Sequence, residues 1–158
     1  MKRAESGFSM VEVMIAIVLV GILVVIAVPM FQEQVAKRRL EGLANELSAD
    51  LQYARTEAVS KNRQVQLISA ADGKSYSIQY VTAPVSAAQL KIASFPVGIT
   101  ASPDVAVRFD ALRGMAATVG AMTLSSIHTT GTLRASATVV GRITLCSPGG
   151  GFIGYATC

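Results

Sequence analysis

The 158-residue sequence predicts an α+β fold in which one long amino-terminal helix packs on antiparallel β-sheets. Three observations predict it. Sixteen consecutive residues, Val13 to Val28, carry no polar side chain. Leucine and alanine then recur every three or four positions from Leu40 to Ala58. Beyond Asn62 the chain turns to polar–apolar alternation broken by glycine and proline, the period of half-buried strands rather than of a helix.

The apolar segment comes first. Hydrophobic residues make up 51% of the chain and charged residues 15%, and the excess is concentrated in one place. Between Phe8 and Phe31 the only polar side chains are Ser9 and Glu12. Phe8 to Val28 reaches the roughly 20 residues a helix needs to cross a bilayer. Lys2 and Arg3 give a basic start, as in a secretory signal, but the apolar stretch is longer and no Ala-x-Ala site follows it. Hydropathy alone favours an uncleaved anchor. Two details argue against that: Glu12, a carboxylate costing on the order of 2.5–3.5 kcal/mol in a membrane helix, and the junction Gly7-Phe8-Ser9-Met10-Val11-Glu12.

At that junction the sequence resembles the type IV prepilins. The resemblance implies cleavage after Gly7, an N-methylated new amino terminus at Phe8, and an assembly glutamate at Glu12. Pro29, twenty-one residues after Phe8, matches the helix-kinking proline of that family. The physics fits the implied role. A buried carboxylate is expensive without a partner, and the free amine of a neighbouring subunit offsets much of that cost.

The helix is predicted from near Phe8 to about Lys61, with a bend near Pro29. Leu40, Leu43, Leu47, Leu51, Ala54 and Ala58 form its core stripe. Glu33, Glu41, Glu46, Asp50, Arg55 and Glu57 are expected on its wetter faces, and Asn62 is the expected stop. Strands are predicted at Gln64–Ile68, Ser75–Tyr80, Leu90–Phe95, Val105–Phe109, Met122–Thr129, Leu133–Thr138 and Val139–Leu145. A turn at Ala70–Lys74, with Asp72-Gly73 inside it, joins the first two. Pro96, Pro103, Gly114, Gly120 and Gly131 are read as punctuation between strands.

Three segments narrow the resemblance to GspH/FimT-type (FimU-like) minor pilins. These are Ala54-Arg55-Thr56-Glu57-Ala58-Val59 with Lys61-Asn62-Arg63-Gln64-Val65, then Val107-Arg108-Phe109-Asp110 with Gly114, and Val140-Gly141-Arg142-Ile143-Thr144-Leu145-Cys146. Plain scaffold is the alternative reading of all three. The turn Asp110–Gly114 is one residue longer than the family's usual Phe-Asp-x-x-Gly spacing.

The resemblance implies a leader at 1–7, a transmembrane and filament-core helix at 8–30, and a periplasmic or extracellular pilin domain at 31–158. The chain would sit in the inner membrane as a single-pass protein before assembly and on the pilus or cell surface afterwards. Lys2 and Arg3 favour a cytoplasmic start, whereas Lys37, Arg38 and Arg39 argue the other way. Cys146 and Cys158 are either two free thiols or a disulfide around a glycine-rich loop. A disulfide suits an oxidising compartment, and pilins often close a carboxy-terminal loop this way. Such a ring would add roughly 3 kcal/mol on the chain-entropy model.

Catalysis is a poor fit. His128 is the only histidine, and Ser125 and Ser126 beside it match no hydrolase motif. No His, Cys and carboxylate cluster has metal-ligand spacing, so no metal or cofactor is expected. Gly149-Gly150-Gly151 lacks the lysine and hydroxyl of a phosphate loop.

The expected role is therefore a structural minor pilin that primes or caps a type IV pilus. Its expected partners are other major and minor pilins, the prepilin peptidase and methyltransferase, and the inner-membrane assembly platform. The alternatives are a minor pseudopilin of a type II secretion system and a DNA-binding pilin. From Phe31 onward twelve Lys or Arg face eight Asp or Glu, a surplus too small to separate a DNA-contacting tip from an ordinary soluble surface. Some FimT-like pilins bind DNA through a Gly-Arg-x-Arg element. Gly141-Arg142 matches it, but Thr144 stands where the second arginine would be. Arg142, Arg134 and Lys91 are the candidate DNA contacts.

Overall fold

The computed structural model describes residues 8–81, 89–102 and 105–158. Two compact units divide the chain, one ending at Val35 and one running from Ala36 to Cys158.

The first unit is the start of α1, Met10–Ser60. Ser9 caps it: its Oγ accepts from the Val11 amide at 3.3 Å, and its carbonyl accepts from Glu12 and Val13. Such a cap satisfies amides that have no partner inside the helix. Glu12 stands in the first turn, where the helix dipole favours a negative charge. The helical backbone continues without interruption past Pro29. The large apolar side chains from Met10 to Phe31 are exposed.

The second unit is built on the rest of α1. Leu40, Ala44, Leu47, Leu51, Ala54 and Ala58 are fully buried, with Leu43 packed beside them. The helix ends at Ser60, one residue short of the predicted end. Asn62 is left-handed (φ 49°), and the Arg63 amide reaches back to the Ala58 carbonyl while the Asn62 amide reaches Val59. That bonding closes the last turn around a residue tolerant of left-handed backbone.

Against this stripe lie two antiparallel sheets. The first has the order β3-β2-β1-β5-β6, from Gln89–Ser94, Ser75–Tyr80, Val65–Ser69, Ala106–Phe109 and Ala116–Thr118. The second has the order β4-β7-β8-β9, from Ile99–Ala101, Ala121–Ser126, Thr129–Ala137 and Ile143–Cys146. Alternation sets the inward residues: Val65 and Leu67 on β1, Tyr76 and Ile78 on β2, Met122 and Leu124 on β7, Leu133, Ala135 and Ala137 on β8. These close one core with the helix stripe.

Several predicted boundaries are corrected. The run Met122–Thr129 ends at Ser126, because Ile127 and His128 form a turn and Thr129 opens β8. That turn is held by Ser126 Oγ accepting the His128 amide and by Gly98 accepting the Ile127 amide. The run Val139–Leu145 begins as a turn, Thr138–Arg142, and becomes a strand only at Ile143. Gly131 lies inside β8 instead of between strands, because the Phe152 ring occupies the space a side chain would fill: a Cβ there would stand 2.7 Å from it. Asp50 is buried instead of wet. The short strands β4 and β6 were not predicted. Pro103 lies outside the described residues.

Candidate functional site

At the amino terminus, Phe8 is exposed and Glu12 lies one helical turn further on. Gly7 and the leader lie outside the described residues. By length and composition α1 contains a segment able to cross a membrane, none of it buried in the protein's own core. Removing this much apolar surface from water takes lipid or another protein.

In the domain, Cys146 and Cys158 are disulfide-bonded, with Cα atoms 5.2 Å apart. The loop they close is also seated independently of the bond. Phe152 is only 3% exposed and lies over Gly131. The Ser147 hydroxyl donates to the Thr132 carbonyl at 3.1 Å, and its amide to the Ala156 carbonyl at 2.8 Å.

The three candidate DNA contacts do not come together. Lys91, on β3 of the first sheet, pairs with Asp50 at 2.7 Å and Glu46 at 3.3 Å. Asp50 also accepts from the Tyr76 hydroxyl at 2.6 Å. The hydrogen bond to Asp50 raises the Lys91 pKa above its usual range. Burial, followed by the bond to Asp50, raises the Tyr76 phenol. Arg134 is on β8 of the second sheet at one end of the β8–β9 ladder, and Arg142 lies past the other end. Arg134 stands opposite Cys146 and its Nε donates to Thr123 Oγ1 at 3.1 Å. Arg142 is exposed in the turn beyond the other end. Thr144, between them, shares a hydrogen bond with Ser136.

A different set of residues does converge. On α1, Arg55 is half-buried, and its Nε donates to the Gly114 carbonyl at 2.9 Å. Gly114 is left-handed (φ 60°) and closes a turn in which Asp110 Oδ2 accepts the Leu112 and Arg113 amides. The extra residue of that turn is thus absorbed. Gly141, also left-handed (φ 76°), packs against both: a Cβ there would collide with the Gly114 carbonyl oxygen and stand 2.9 Å from Arg55 Nε. The three blocks that carry the family resemblance meet at this junction.

Beside it lies a groove of about 430 Å³, lined by Gln52, Arg55 and Thr56 of the helix and by Val140 to Ile143 of the turn and β9. Arg55 was read from sequence only as a residue of the wetter faces; its place in the first family block was the available signal. No group of three metal-ligating side chains occurs among the described residues, and His128 is exposed in its turn.

Comparison with known proteins agrees with this architecture. A family model described as type II transport protein GspH matches residues 43–149, and a prokaryotic N-terminal methylation motif matches residues 2–28. The structure of the type IV minor pilin FimU from Pseudomonas aeruginosa superposes with a TM-score of 0.59 at 30% identity, covering 74% of this chain and 98% of that one. The minor pseudopilin EpsH of the Vibrio cholerae type 2 secretion system shares the fold, with a TM-score of 0.54 at 14% identity over 70% of this chain and 98% of that one. A Pseudomonas aeruginosa fimbrial protein is 32% identical over 63 residues, 40% of each chain, so the chain spans less than half the length of that curated relative. These neighbours are structural pilins and a pseudopilin, not enzymes. With about two thirds of its length matched by one family model, the chain belongs to the family of the type II transport protein GspH.

Proposed function

We propose that this chain is a minor pilin, a membrane-anchored structural subunit that helps prime or cap a type IV pilus. The observation that carries this reading is an apolar helical segment whose large side chains are all exposed, interrupted by the single carboxylate of Glu12. Neighbouring subunits would cover that surface in a filament, as lipid would before assembly. Residues 1–7 are the leader, cleaved after Gly7 by a prepilin peptidase. The mature chain then begins at an N-methylated Phe8. Residues 8–30 span the inner membrane and later enter the filament core, where Glu12 pairs with a neighbour's terminal amine. Residues 31–158 face the periplasm and then the cell exterior, which suits the disulfide.

The FimU likeness supports the pilus version. A pseudopilin of a type II secretion system is the second reading, favoured by the family description and the EpsH fold. The DNA-binding version has weaker support, because Lys91 lies in the other sheet and is paired with carboxylates of α1, and Thr144 replaces an arginine.

Mass spectrometry of the protein from native membranes tests the processing step. The expected species begins at Phe8 and carries one added methyl group, and a bulky residue at Gly7 leaves the leader attached. Recovery of full-length chain alone overturns the reading. Deletion is expected to lower the yield of sheared pili while secretion stays intact. The opposite pattern selects the pseudopilin.

A further inference from the structure

The groove between the end of α1 and the Thr138–Arg142 turn holds positive charge with no ion-pair partner among the described residues. Arg55 is half-buried and pinned through Nε to the Gly114 carbonyl. Pinning fixes the plane of the guanidinium and leaves its other nitrogens as donors. Arg142 lines the same groove from the turn. Its backbone is fixed as well, since its amide donates to Thr138 Oγ1 at 3.1 Å and its carbonyl accepts the Thr138 amide at 2.9 Å. Among the described residues, no carboxylate stands within ion-pair distance of either arginine. Taking a guanidinium partly out of water without an opposite charge costs free energy, which a bound anion offsets.

We infer that this groove is a socket for a carboxylate carried by an acidic segment of a neighbouring protein subunit. The inference rests on the filament-subunit reading for the identity of the neighbour. Three features favour a protein carboxylate over a nucleic-acid backbone. A recess of about 430 Å³ admits a side chain, not a duplex. The groove offers the Gln52 side-chain amide beside the planar guanidinium, donors suited to one carboxylate, while the Thr56 hydroxyl is spent on the Gln52 carbonyl at 2.9 Å. The surrounding segments present exposed apolar side chains, Val59, Leu112, Val139 and Val140. Apolar residues around arginine anchors are typical of protein interfaces, whereas a phosphate chain calls for a row of cations. The cations proposed for such a row do not line up, since Arg134 lies at the far end of the β8–β9 ladder and Lys91 is neutralised by Asp50.

The test places the photo-cross-linking residue p-benzoylphenylalanine at exposed Gln52 of the full-length chain in its native cells, with Val97 as a control position. Adducts are mapped by mass spectrometry. The expected adduct at Gln52 is a peptide of another pilin-like subunit with Asp or Glu at or beside the cross-linked residue. Arg142→Glu is expected to lower its yield at least fivefold, and changing the partner's acid to lysine should restore it. Arg142 is exposed, so the variant's thermal unfolding should match wild type and exclude misfolding as the cause. An undiminished adduct in Arg142→Glu, an adduct on DNA, a partner peptide lacking a carboxylate, or no adduct at Gln52 each overturns the socket. Immunoblots of sheared filaments report incorporation of the same chain separately. Absence from filaments counts against the subunit reading, while the adduct on an acidic segment and its loss in Arg142→Glu still decide the socket.

Discussion

Arg55 Nε and the Gly114 carbonyl oxygen are joined by a hydrogen bond of 2.9 Å across 59 residues of sequence. The bond ties the last third of α1 to the first sheet, because Gly114 terminates the turn between β5 and β6. Gly141 brings in the second sheet by lying against the same two groups. One guanidinium thus meets both sheets where they cover the helix end.

Removing this junction should be costly. Gly141→Ala combines positive φ with a collision against Gly114, and at least ~2 kcal/mol of stability should be lost. Arg55→Met keeps most of the aliphatic packing but orphans the carbonyl, at a cost of roughly 1–3 kcal/mol. Urea unfolding of the detergent-solubilised chain measures both. A Gly141→Ala variant as stable as wild type would show that the junction gives way freely.

The carboxy-terminal loop should be held by two separable devices. Cys146→Ser or Cys158→Ser should cost roughly 3 kcal/mol through the lost ring closure. Phe152→Ala should cost a further ~3–5 kcal/mol by emptying the site over Gly131. Thermal unfolding with and without reductant separates them: reductant should lower the midpoint of wild type and of Phe152→Ala, and leave the cysteine variants unmoved.

How far the sequence revealed this fold depended on the range of each signal. The helix was readable because its apolar run and its stripe from Leu40 to Ala58 are local periodicities. Strands β1, β2, β3 and β5 were readable from alternation. Strands β4 and β6 were not, since three residues such as Ile99–Ala101 cannot establish a period. The Ile127-His128 turn contains neither glycine nor proline, so it passed for strand. Val139 and Val140 passed for strand because they are β-branched, yet they stand exposed in a turn fixed by Gly141. Asp50 looked wet because charged residues usually are, and only Tyr76 on β2 and Lys91 on β3, distant in sequence from this helix position, explain its burial. The methylation junction was fully written in consecutive residues. The groove was not, because its two walls come from positions nearly ninety residues apart.

Glu12→Ala should insert in the membrane at least as well as wild type, since it removes a charge from the apolar segment. On the proposed pairing of Glu12 with a neighbour's terminal amine, it should enter filaments poorly, because that amine would lose its counter-charge. Quantifying the chain in sheared filaments and in membranes separates the two effects. Wild-type incorporation of this variant would show that the amine–carboxylate pairing is dispensable.

The Asp50 cluster should make the domain alkali-labile. Lys91 has a raised folded-state pKa because Asp50 binds its charged form. Tyr76 is raised because burial and Asp50 both disfavour the phenolate. In each case the folded state holds a proton more tightly than the unfolded chain. That contribution is complete below the unfolded values, about 10.4 for lysine and about 10 for tyrosine, and is lost as pH climbs from there toward the folded values. Neutral and mildly basic solutions should therefore leave stability flat, with a fall beginning near pH ~10. Tyr76→Phe should cost roughly 1.5–3 kcal/mol at pH 7 by removing a bond to a buried, charged acceptor, and its alkaline fall should be shallower than that of wild type. Lys91→Met should flatten the fall as well. Because both cysteines are bonded to each other, no free thiol is present to start disulfide exchange in this range. Urea midpoints measured between pH 8 and 11.5 give the slopes directly. Identical slopes in wild type and in both variants would remove the cluster as the cause.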